Sequence, residues 1–396
     1  MKKISFLMMT TFSGNAYKGP RMPEIIKEAE SRGIFADAIG VWSKTDKKVY
    51  STNILKKIRT PISMRFIFKI NSILVKIFGK WNAYRGTEAI YSVFARIIKS
   101  NGQIVVIKPR PYAILEKNKK NNRIIVVEAS ENHTRYTQKV LQKELSRIGK
   151  NELHNNYTNE EAISEYERTI NNADYLLCLS TFSANTYIKN GFPKENIYVV
   201  NPFCGNNRIL NINNTTKDLQ FVSVAHHGIL KGTHNLIKLW CKNKYKNKLV
   251  LIGTIYEDIK EFVDMAKDNN NIIIMGPMDR NEIFTYYLSH NCVGVLLSLS
   301  ESFGRVVYEY LSYSIPVIVT ETCTCDIVED GKNGFVVDGQ DEEQLDIIVS
   351  KYVNMSDEKY INMQKSAYES SVQEDRFGKK YVDALEDIIR KNYEVI

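Results

Sequence analysis

The segment spanning residues 293–337 constrains the fold more than any other part of the chain. A short apolar run at residues 293–297 ends in a polar turn that contains Glu301. The turn leads into a helical pattern, and Pro316 then begins a second apolar run. The order strand, turn, helix, strand is the repeating unit of a parallel α/β sheet. Open sheets of this kind bind ligands beyond the carboxyl ends of their strands, which is where this turn lies.

The rest of the chain continues the alternation of strand and helix patterns. Ten strands are predicted, at residues 4–9, 104–107, 124–127, 175–179, 197–200, 221–224, 249–252, 271–275, 293–297 and 316–319. The first five are separated from the last five by residues 201–217, whose Asn- and Thr-rich composition is typical of a hinge. A length of 396 residues suits two such domains. Residues 4–9 are too short an apolar run for a signal peptide, so we interpret them as a strand.

Two carboxylates bracket the helix that follows the polar turn. Glu301 precedes its first turn and Glu309 lies inside it. Eight helical positions would separate them by roughly 12 Å, whereas carboxylate pairs that hydrolyse glycosidic bonds lie about 5–9.5 Å apart. The pair is better suited to holding two ends of a long ligand, such as a nucleotide-sugar, with its diphosphate at the helix N-terminus. The alternative is that Glu301 only complements the helix dipole and that Glu309 is a solvated or capped helix residue.

These residues resemble a known family. Glu301, Phe303-Gly304 and Glu309 resemble the signature of retaining glycosyltransferase family 4, of the glycosyltransferase group 1 type. Further similar segments follow in family order, so that the resemblance runs over residues 175–337. It implies an α/β fold of the GT-B type, in which two Rossmann-like domains face each other across a cleft. The N-terminal, acceptor-binding domain is expected at residues 1–202, with 375–396 crossing back onto it, and the donor-binding domain at 203–374.

The resemblance also implies roles for individual residues. Glu301 is expected to contact the donor sugar, Glu309 the nucleotide ribose and Lys231 the diphosphate. His133 is expected to contact the sugar or the acceptor hydroxyl, unless it is an ordinary surface-loop histidine. Glu301, His133 and Lys231 form the expected catalytic set. The remaining expected donor contacts are Gly14, Gly276, Met278, Phe303, Gly304 and Arg305.

One departure from the family pattern concerns the diphosphate site. The family usually carries an arginine several residues before the lysine, and this chain has Ala-His-His-Gly at residues 225–228 instead. A protonated histidine or Arg305 would have to supply the second positive charge. An imidazole is only partly charged near pH 7, whereas a guanidinium is always charged.

The sequence favours chemistry without a metal or cofactor. It contains no Asp-x-Asp pair, which would be the usual carboxylate cradle for a divalent ion on a diphosphate. The six cysteines have no zinc-site or disulfide spacing, and Cys323 and Cys325 are the only close pair. We therefore expect reduced thiols, no metal and a nucleotide-sugar that enters as a substrate.

A basic stretch covers residues 47–85. It holds ten lysines and arginines and no acidic residue, interleaved with aliphatic and aromatic side chains. This pattern is typical of a segment that lies on an anionic membrane surface. The alternative is that its apolar residues pack on the first domain while the cations are solvated. No nucleic-acid-binding motif accompanies the stretch, so a nucleic-acid partner is not expected.

Taken together, the residues and the resemblance predict a retaining hexosyltransferase. Its acceptor would be a hydroxyl of a glycan or lipid-linked acceptor, and its place cytoplasmic and peripheral on the inner face of the membrane. Two alternatives stay open. One is a nucleotide-sugar epimerase, which would use the same scaffold, and the other is a non-catalytic relative that binds sugar nucleotides.

Overall fold

The computed structural model describes residues 2–12, 22–42, 58–59, 99–109, 112–150, 157–202, 208–213, 215–372 and 377–393. Within these ranges the chain forms two fully parallel sheets, one from each half of the sequence. Gly14 and almost all of residues 47–85 lie outside the described residues.

The first sheet has seven described strands in the order β3-β2-β1-β4-β5-β6-β7. They are β1 Ile4–Phe12, β2 Phe35–Trp42, β3 Ile58–Arg59, β4 Ile104–Ile107, β5 Ile124–Ala129, β6 Tyr175–Cys178 and β7 Ile197–Val199. The second sheet has six, in the order β10-β9-β8-β11-β12-β13. They are β8 Gln220–Val224, β9 Leu249–Ile252, β10 Ile272–Gly276, β11 Cys292–Leu296, β12 Val317–Thr320 and β13 Gly334–Val337. Both orders reverse direction at one point, as in doubly wound dinucleotide-binding folds.

Helices cover both faces of the sheets. They are α1 Met22–Ser31, α2 Tyr112–Lys120, α3 Thr134–Arg147, α4 Glu160–Asn171, α5 Thr181–Ile188, α6 Thr233–Asn243, α7 Lys260–Met265, α8 Arg280–Ser289, α9 Arg305–Ser312, α10 Glu342–Val353, α11 Asp357–Ser371 and α12 Phe377–Tyr393. None of the helices in the described ranges is long and apolar enough to cross a membrane.

The C-terminal helix α12 crosses back onto the first sheet, as predicted. Tyr381 and Leu385 are buried in the cluster that contains Phe6 of β1. The Tyr381 hydroxyl donates to Glu128 Oε2 at 2.8 Å, and Arg32 pairs with Asp383 at 2.7 Å. Burying a large apolar side chain contributes about 1.5–3 kcal/mol, so this apolar face is enough to hold the helix in place.

The predicted fold class is confirmed. All ten predicted strands are present, and those at residues 104–107 and 249–252 have the predicted bounds. The strand predicted at residues 4–9 extends to Phe12. Three strands were not predicted: β2, β3 and β13. The predicted domain boundary between residues 202 and 203 falls between the last strand of the first sheet and the first strand of the second, and as a boundary it stays a prediction.

Candidate functional site

The candidate site lies where the strand order of the second sheet reverses, between β8 and β11. These strands are hydrogen-bonded neighbours, although their residues are about 70 positions apart. The segment after β8 forms a 3₁₀ turn, Ile229–Lys231, and the segment after β11 carries Glu301. Because parallel strands end at the same edge, the fold brings these two segments together at the position where such sheets bind ligands.

Gly232 allows the two segments to approach closely. Its φ is +68°, a left-handed conformation that side chains with a Cβ rarely adopt. A Cβ on this residue would lie 2.2 Å from the Leu297 carbonyl oxygen. The position after Lys231 therefore requires glycine, and the close packing places the lysine beside the turn after β11.

Lys231 and Glu301 form a direct ion pair. The Lys231 ammonium donates to Glu301 Oε2. Their side chains are 27% and 19% exposed, so one side of the pair faces solvent. Burial lowers the pKa of Lys231, but the Glu301 carboxylate more than offsets this, and the pKa lies above its ordinary value. The lysine is thus fully charged at neutral pH, and an ammonium has three donors, so it can bind an anion as well as Glu301.

Helix α9 begins later than predicted. It runs from Arg305 to Ser312, and residues 301–304 are not helical. The estimate of roughly 12 Å between Glu301 and Glu309 assumed eight helical positions, and that assumption was wrong. Gly304 is the N-cap residue and supplies no side-chain cap. The amides of the first turn therefore lack a capping side chain, which suits an anionic ligand.

The Glu309 side chain is partly buried and lies beside a cation. Its carboxylate is 18% exposed and lies 3.7 Å from the Arg280 guanidinium. Burial raises the pKa of Glu309 above its ordinary value, although the positive charges of Arg280 and Arg305 oppose the shift. Next to it, the Tyr310 hydroxyl donates to the Val222 carbonyl at 3.0 Å and fixes this turn of α9 against β8. Glu309 is therefore not a fully solvated helix residue, and its contact with a ribose stays a prediction.

Arg280 is a site residue that the sequence analysis missed. It is the first residue of α8, which follows β10 and begins with a capping box formed by Asp279 and Glu282. Its guanidinium carbon lies 4.5 Å from the centre of the Phe284 ring. The signal was available, because an Asp-Arg-Asn-Glu sequence after a predicted strand marks a helix start at the ligand-binding edge. What it did not show was the contact with Glu309.

His133 is buried, at 3% exposure, so the surface-loop alternative is wrong. It caps α3: its Nδ1 accepts the Arg135 N–H at 3.2 Å. The preceding residue, Asn132, reaches the other domain, where its Nδ2 lies 3.2 Å from the Glu301 carbonyl oxygen. The structure thus brings the end of β5 close to the turn that carries Glu301. Contact of His133 with a substrate stays a prediction.

The two histidines that stand in place of the family arginine, His226 and His227, differ in burial. His227 is fully buried, with Nδ1 3.0 Å from Thr233 Oγ1 and Nε2 3.1 Å from the Ile252 carbonyl oxygen. Burial lowers its pKa to about 4, so it is neutral at pH 7 and cannot supply a positive charge. His226 is exposed and stacks on Tyr256, with ring centres 5.9 Å apart. His226 and Arg305 remain as sources of the second charge.

The other predicted donor contacts occupy varied environments. Gly276 ends β10 with a φ of +69°, and no atom lies within 4 Å of where its Cβ would be. Met278 is partly buried, whereas the Phe303 side chain is 5% exposed and lies in the core cluster of the second sheet, so only its backbone can face a ligand. Among the described residues, no cluster of His, Cys, Asp and Glu side chains could hold a metal ion. The expected absence of a metal stays a prediction.

The buried, neutral His227 should make the free energy of unfolding depend on pH. The pKa of His227 is lowered from 6.5 to about 4 in the folded protein. Between these values the unfolded chain binds the proton and the folded protein does not, so stability falls as the pH drops through this window. We expect His227 alone to contribute a loss of about 2 kcal/mol between pH 7 and pH 5.

Guanidinium unfolding of wild type, His227→Gln and His226→Gln at both pH values checks this expectation. His227→Gln should lose part of the pH dependence, and His226→Gln, whose side chain is exposed, should keep it. An equal pH dependence in all three proteins would contradict the burial argument.

Solved structures with the same architecture identify the fold. The chain matches the lipopolysaccharide outer core galactosyltransferase WaaB with a TM-score of 0.59 and 16% identity, over 98% of this chain and 99% of that one. It matches TarM with a TM-score of 0.64 and 14% identity, over 98% of each chain. The chain has the GT-B fold. Among further GT-B structures, HepE of Anabaena in complex with UDP and glucose has a TM-score of 0.61 and 15% identity, over 98% of this chain and 100% of that one.

The second half of the chain also matches a family model. Residues 207–370 match the model of the glycosyl transferases group 1. The match contains Lys231, Glu301 and Glu309 and spans the whole second GT-B sheet. No curated protein matches the chain. The resemblance to group 1 is therefore supported in the half that carries the candidate site, while family 4 and the retaining mode stay predictions.

Proposed function

We propose that this protein is a retaining glycosyltransferase that moves a hexose from a nucleotide-sugar to a hydroxyl of a glycan or lipid-linked acceptor. One observation carries the proposal. The Lys231–Glu301 ion pair lies at the switch point of the second sheet, beside a helix start without a capping side chain. A fixed cation and a helix N-terminus without a capping side chain suit a diphosphate, and the adjacent carboxylate suits the hydroxyls of the sugar attached to it. The match of residues 207–370 to the glycosyl transferases group 1 also supports the proposal of glycosyl transfer.

The proposed chemistry depends on the leaving diphosphate. As the bond from the sugar to the diphosphate breaks, negative charge grows on the phosphate oxygens. Lys231 and the first amides of α9 would stabilise that charge from fixed positions, and such preorganised stabilisation is usually the largest contribution to catalysis. The departing diphosphate would accept the proton of the acceptor hydroxyl on the same face of the sugar, which retains the anomeric configuration. Glu301 would orient the sugar, and no metal ion is required in this scheme.

A UDP-sugar is the first donor to test. The structure of HepE holds UDP and glucose, and the two chains share the GT-B fold. In this protein the partly buried Glu309 would bind the ribose, a neutral diol that accepts and donates hydrogen bonds. The positive charge of Arg280 would favour the ionised form of Glu309, against the effect of burial, and would orient its carboxylate. Gly276, with open space beside it, would allow the base to approach the backbone after β10.

The two alternatives can be separated by product analysis. UDP-glucose, UDP-galactose and UDP-N-acetylglucosamine are incubated with the protein, alone and with an extract of lipid-linked glycans. A transferase releases UDP rapidly only when the acceptor extract is present. An epimerase converts the donor sugar without any acceptor, and a non-catalytic relative binds UDP without consuming a donor. Either of the last two results would contradict the proposal.

We also propose that residues 47–85 bind an anionic membrane surface and place the enzyme on the inner face of the membrane, for assembly of a cell-surface polysaccharide. The support is the ten cations without an acidic residue among apolar side chains. Each cation near such a surface contributes about 1 kcal/mol.

Vesicle flotation tests the membrane proposal. The protein should float with phosphatidylglycerol vesicles at low salt. It should dissociate as the Debye length falls from about 10 Å at 0.1 M to about 3 Å at 1 M salt. Neutral phosphatidylcholine vesicles are the control, and equal recovery on both kinds of vesicle would exclude electrostatic binding.

A further inference from the structure

Helix α3 belongs to the first half of the chain but packs on the second sheet. It follows β5 of the first sheet directly. Its apolar residues Leu141 and Leu145, at 0% and 4% exposure, belong to the buried cluster that includes Phe221 and Trp240 of the second half. The core of the second domain therefore includes a helix from the first half of the sequence.

A buried charged residue fixes the C-terminal end of α3 to the second half. Glu144 is completely buried, and its carboxylate lies 2.5 Å from His234 Nε2, the His234 side chain being equally buried. The Gln340 side chain donates to the same carboxylate at 2.6 Å, and Arg147 on α3 itself donates at 2.5 Å. Burial alone would raise the pKa of Glu144, but the bonds from Arg147 and His234 outweigh it and hold the pKa well below its ordinary value. Glu144 is thus a charged anchor at neutral pH.

The N-terminal end of α3 contacts both domains. Arg135 pairs with Glu160 and Glu167 of α4, which packs on the first sheet, at 2.7 and 2.8 Å. On the other side, the Thr137 hydroxyl lies 2.7 Å from Ser300 Oγ. The N-terminal end of the helix thus contacts both domains, and its C-terminal end is held by the second.

The segment just before α3 holds the turn that carries Glu301. Asn132 is 2% exposed, and its Nδ2, which has two hydrogens to donate, lies 3.0 Å from Ser300 Oγ, 3.2 Å from the Glu301 carbonyl oxygen and 3.1 Å from Thr322 Oγ1. His133 follows it as the N-cap of α3. Eleven residues separate His133 from Glu144, which is about 16 Å along a helix axis. A regular helix is stiff over that length, so a shift at the anchored end would move Asn132 and His133.

We propose that α3 is an interdomain strut, that is, a stiff helix that fixes the position of one domain relative to the other. Glu144 and His234 are then positioning residues for the candidate site. They touch no substrate. By anchoring α3 they set where Asn132 and His133 lie relative to Glu301. This inference rests on the proposed function for its effect on turnover, but the positioning itself does not. A misplacement of about 1 Å at a reacting group can cost on the order of 100-fold in rate.

Hydrogen–deuterium exchange tests the positioning without requiring activity. The variants are Glu144→Leu, which removes the anchor, Glu144→Gln, which keeps an acceptor oxygen for His234, and Lys143→Ala, an exposed neighbour on α3. Deuterium uptake in peptides covering residues 130–136 and 298–303 should rise strongly in Glu144→Leu, rise less in Glu144→Gln and stay at the wild-type level in Lys143→Ala. Faster exchange reports local opening of these segments. If Glu144→Leu does not fold, the deuterium uptake of Glu144→Gln in the same two segments tests the inference instead. Uptake that changes only around residues 140–147, or in neither segment, overturns the inference.

Kinetics with UDP-glucose then separate positioning from a merely structural role. Lys231, Glu301 and Glu309 all lie in the second half, so the Kd for UDP should stay within about twofold of wild type in every variant. The turnover of the folded enzyme should fall at least about tenfold in Glu144→Leu, with partial rescue in Glu144→Gln. Wild-type turnover in a folded Glu144→Leu variant overturns the inference. If the wild-type protein neither binds UDP nor consumes a donor, the proposed function fails, and the exchange data alone decide whether the strut exists.

Discussion

Replacing Lys231 by alanine is expected to weaken nucleoside diphosphate binding and turnover together. The substitution removes the cation at the switch point and leaves the Glu301 carboxylate without its ion-pair partner. A preorganised charge at a leaving group contributes roughly 2–4 kcal/mol at the transition state, so kcat/KM should fall about 30- to 1,000-fold. Steady-state kinetics and calorimetry with UDP measure the two effects.

The control for this substitution is Lys332→Ala. Lys332 is also a lysine of the second half in an ion pair, with Glu329, but its side chain is 58% exposed and away from the switch point. Exposed pairs of this kind contribute about 0–1 kcal/mol, so this variant should behave like wild type. A folded Lys231→Ala protein with wild-type turnover would remove Lys231 from the site.

Glu301→Gln and Glu309→Gln are expected to change different kinetic constants, kcat in the first variant and KM in the second. Glu301 would contact the sugar, where charge develops in the transition state, so its loss should lower kcat. Glu309 would contact the ribose, whose binding changes little during the reaction, so its loss should raise KM. A hydrogen bond to a charged group is worth about 1.5–3 kcal/mol, which predicts an effect of roughly 10- to 100-fold in each case.

UDP, which lacks the sugar, distinguishes the two roles by calorimetry. It should bind Glu301→Gln almost normally and Glu309→Gln poorly. Glu329→Gln, an exposed carboxylate of the same domain, is the matched control. If Glu301→Gln loses UDP binding while Glu309→Gln keeps it, the two assignments are reversed.

Local sequence patterns predicted the sheets well, because parallel strands buried on both faces are continuous apolar runs. The run at residues 249–252 is one of these, and its four residues are completely buried in β9. β2 was missed because Asp37 and Gly40 interrupt its apolar pattern, although Asp37 is buried in the fold.

The start of α9 was placed too early because the segment around Glu301 lacks any residue that forbids a helix. Packing against Thr322, which accepts the Glu301 N–H at 2.9 Å, holds this segment in a non-helical turn.

The sequence named several residues of the candidate site, although not Arg280, and it did not show how they contact one another. Glu301 could be named because it follows a predicted strand at the ligand-binding edge, and Lys231 because its segment resembles the diphosphate-binding lysine segment of the family. Their ion pair joins residues 70 positions apart, and no local pattern encodes such a distance. The same holds for Arg280 with Glu309. The packing of α3 was also beyond reach, because its apolar face indicates that the helix is buried without indicating which of the two sheets buries it.

We expect the switch point of the second sheet to bind a nucleoside diphosphate through Lys231. Thermal unfolding with and without UDP, GDP and ADP tests it most directly, because a ligand at 100 times its Kd stabilises a protein by about 2.7 kcal/mol. At least one of the three nucleotides should raise the melting temperature of the wild-type protein and of Lys332→Ala, and Lys231→Ala should lose most of this rise. No rise with any of them, or an equal rise in Lys231→Ala, would contradict it.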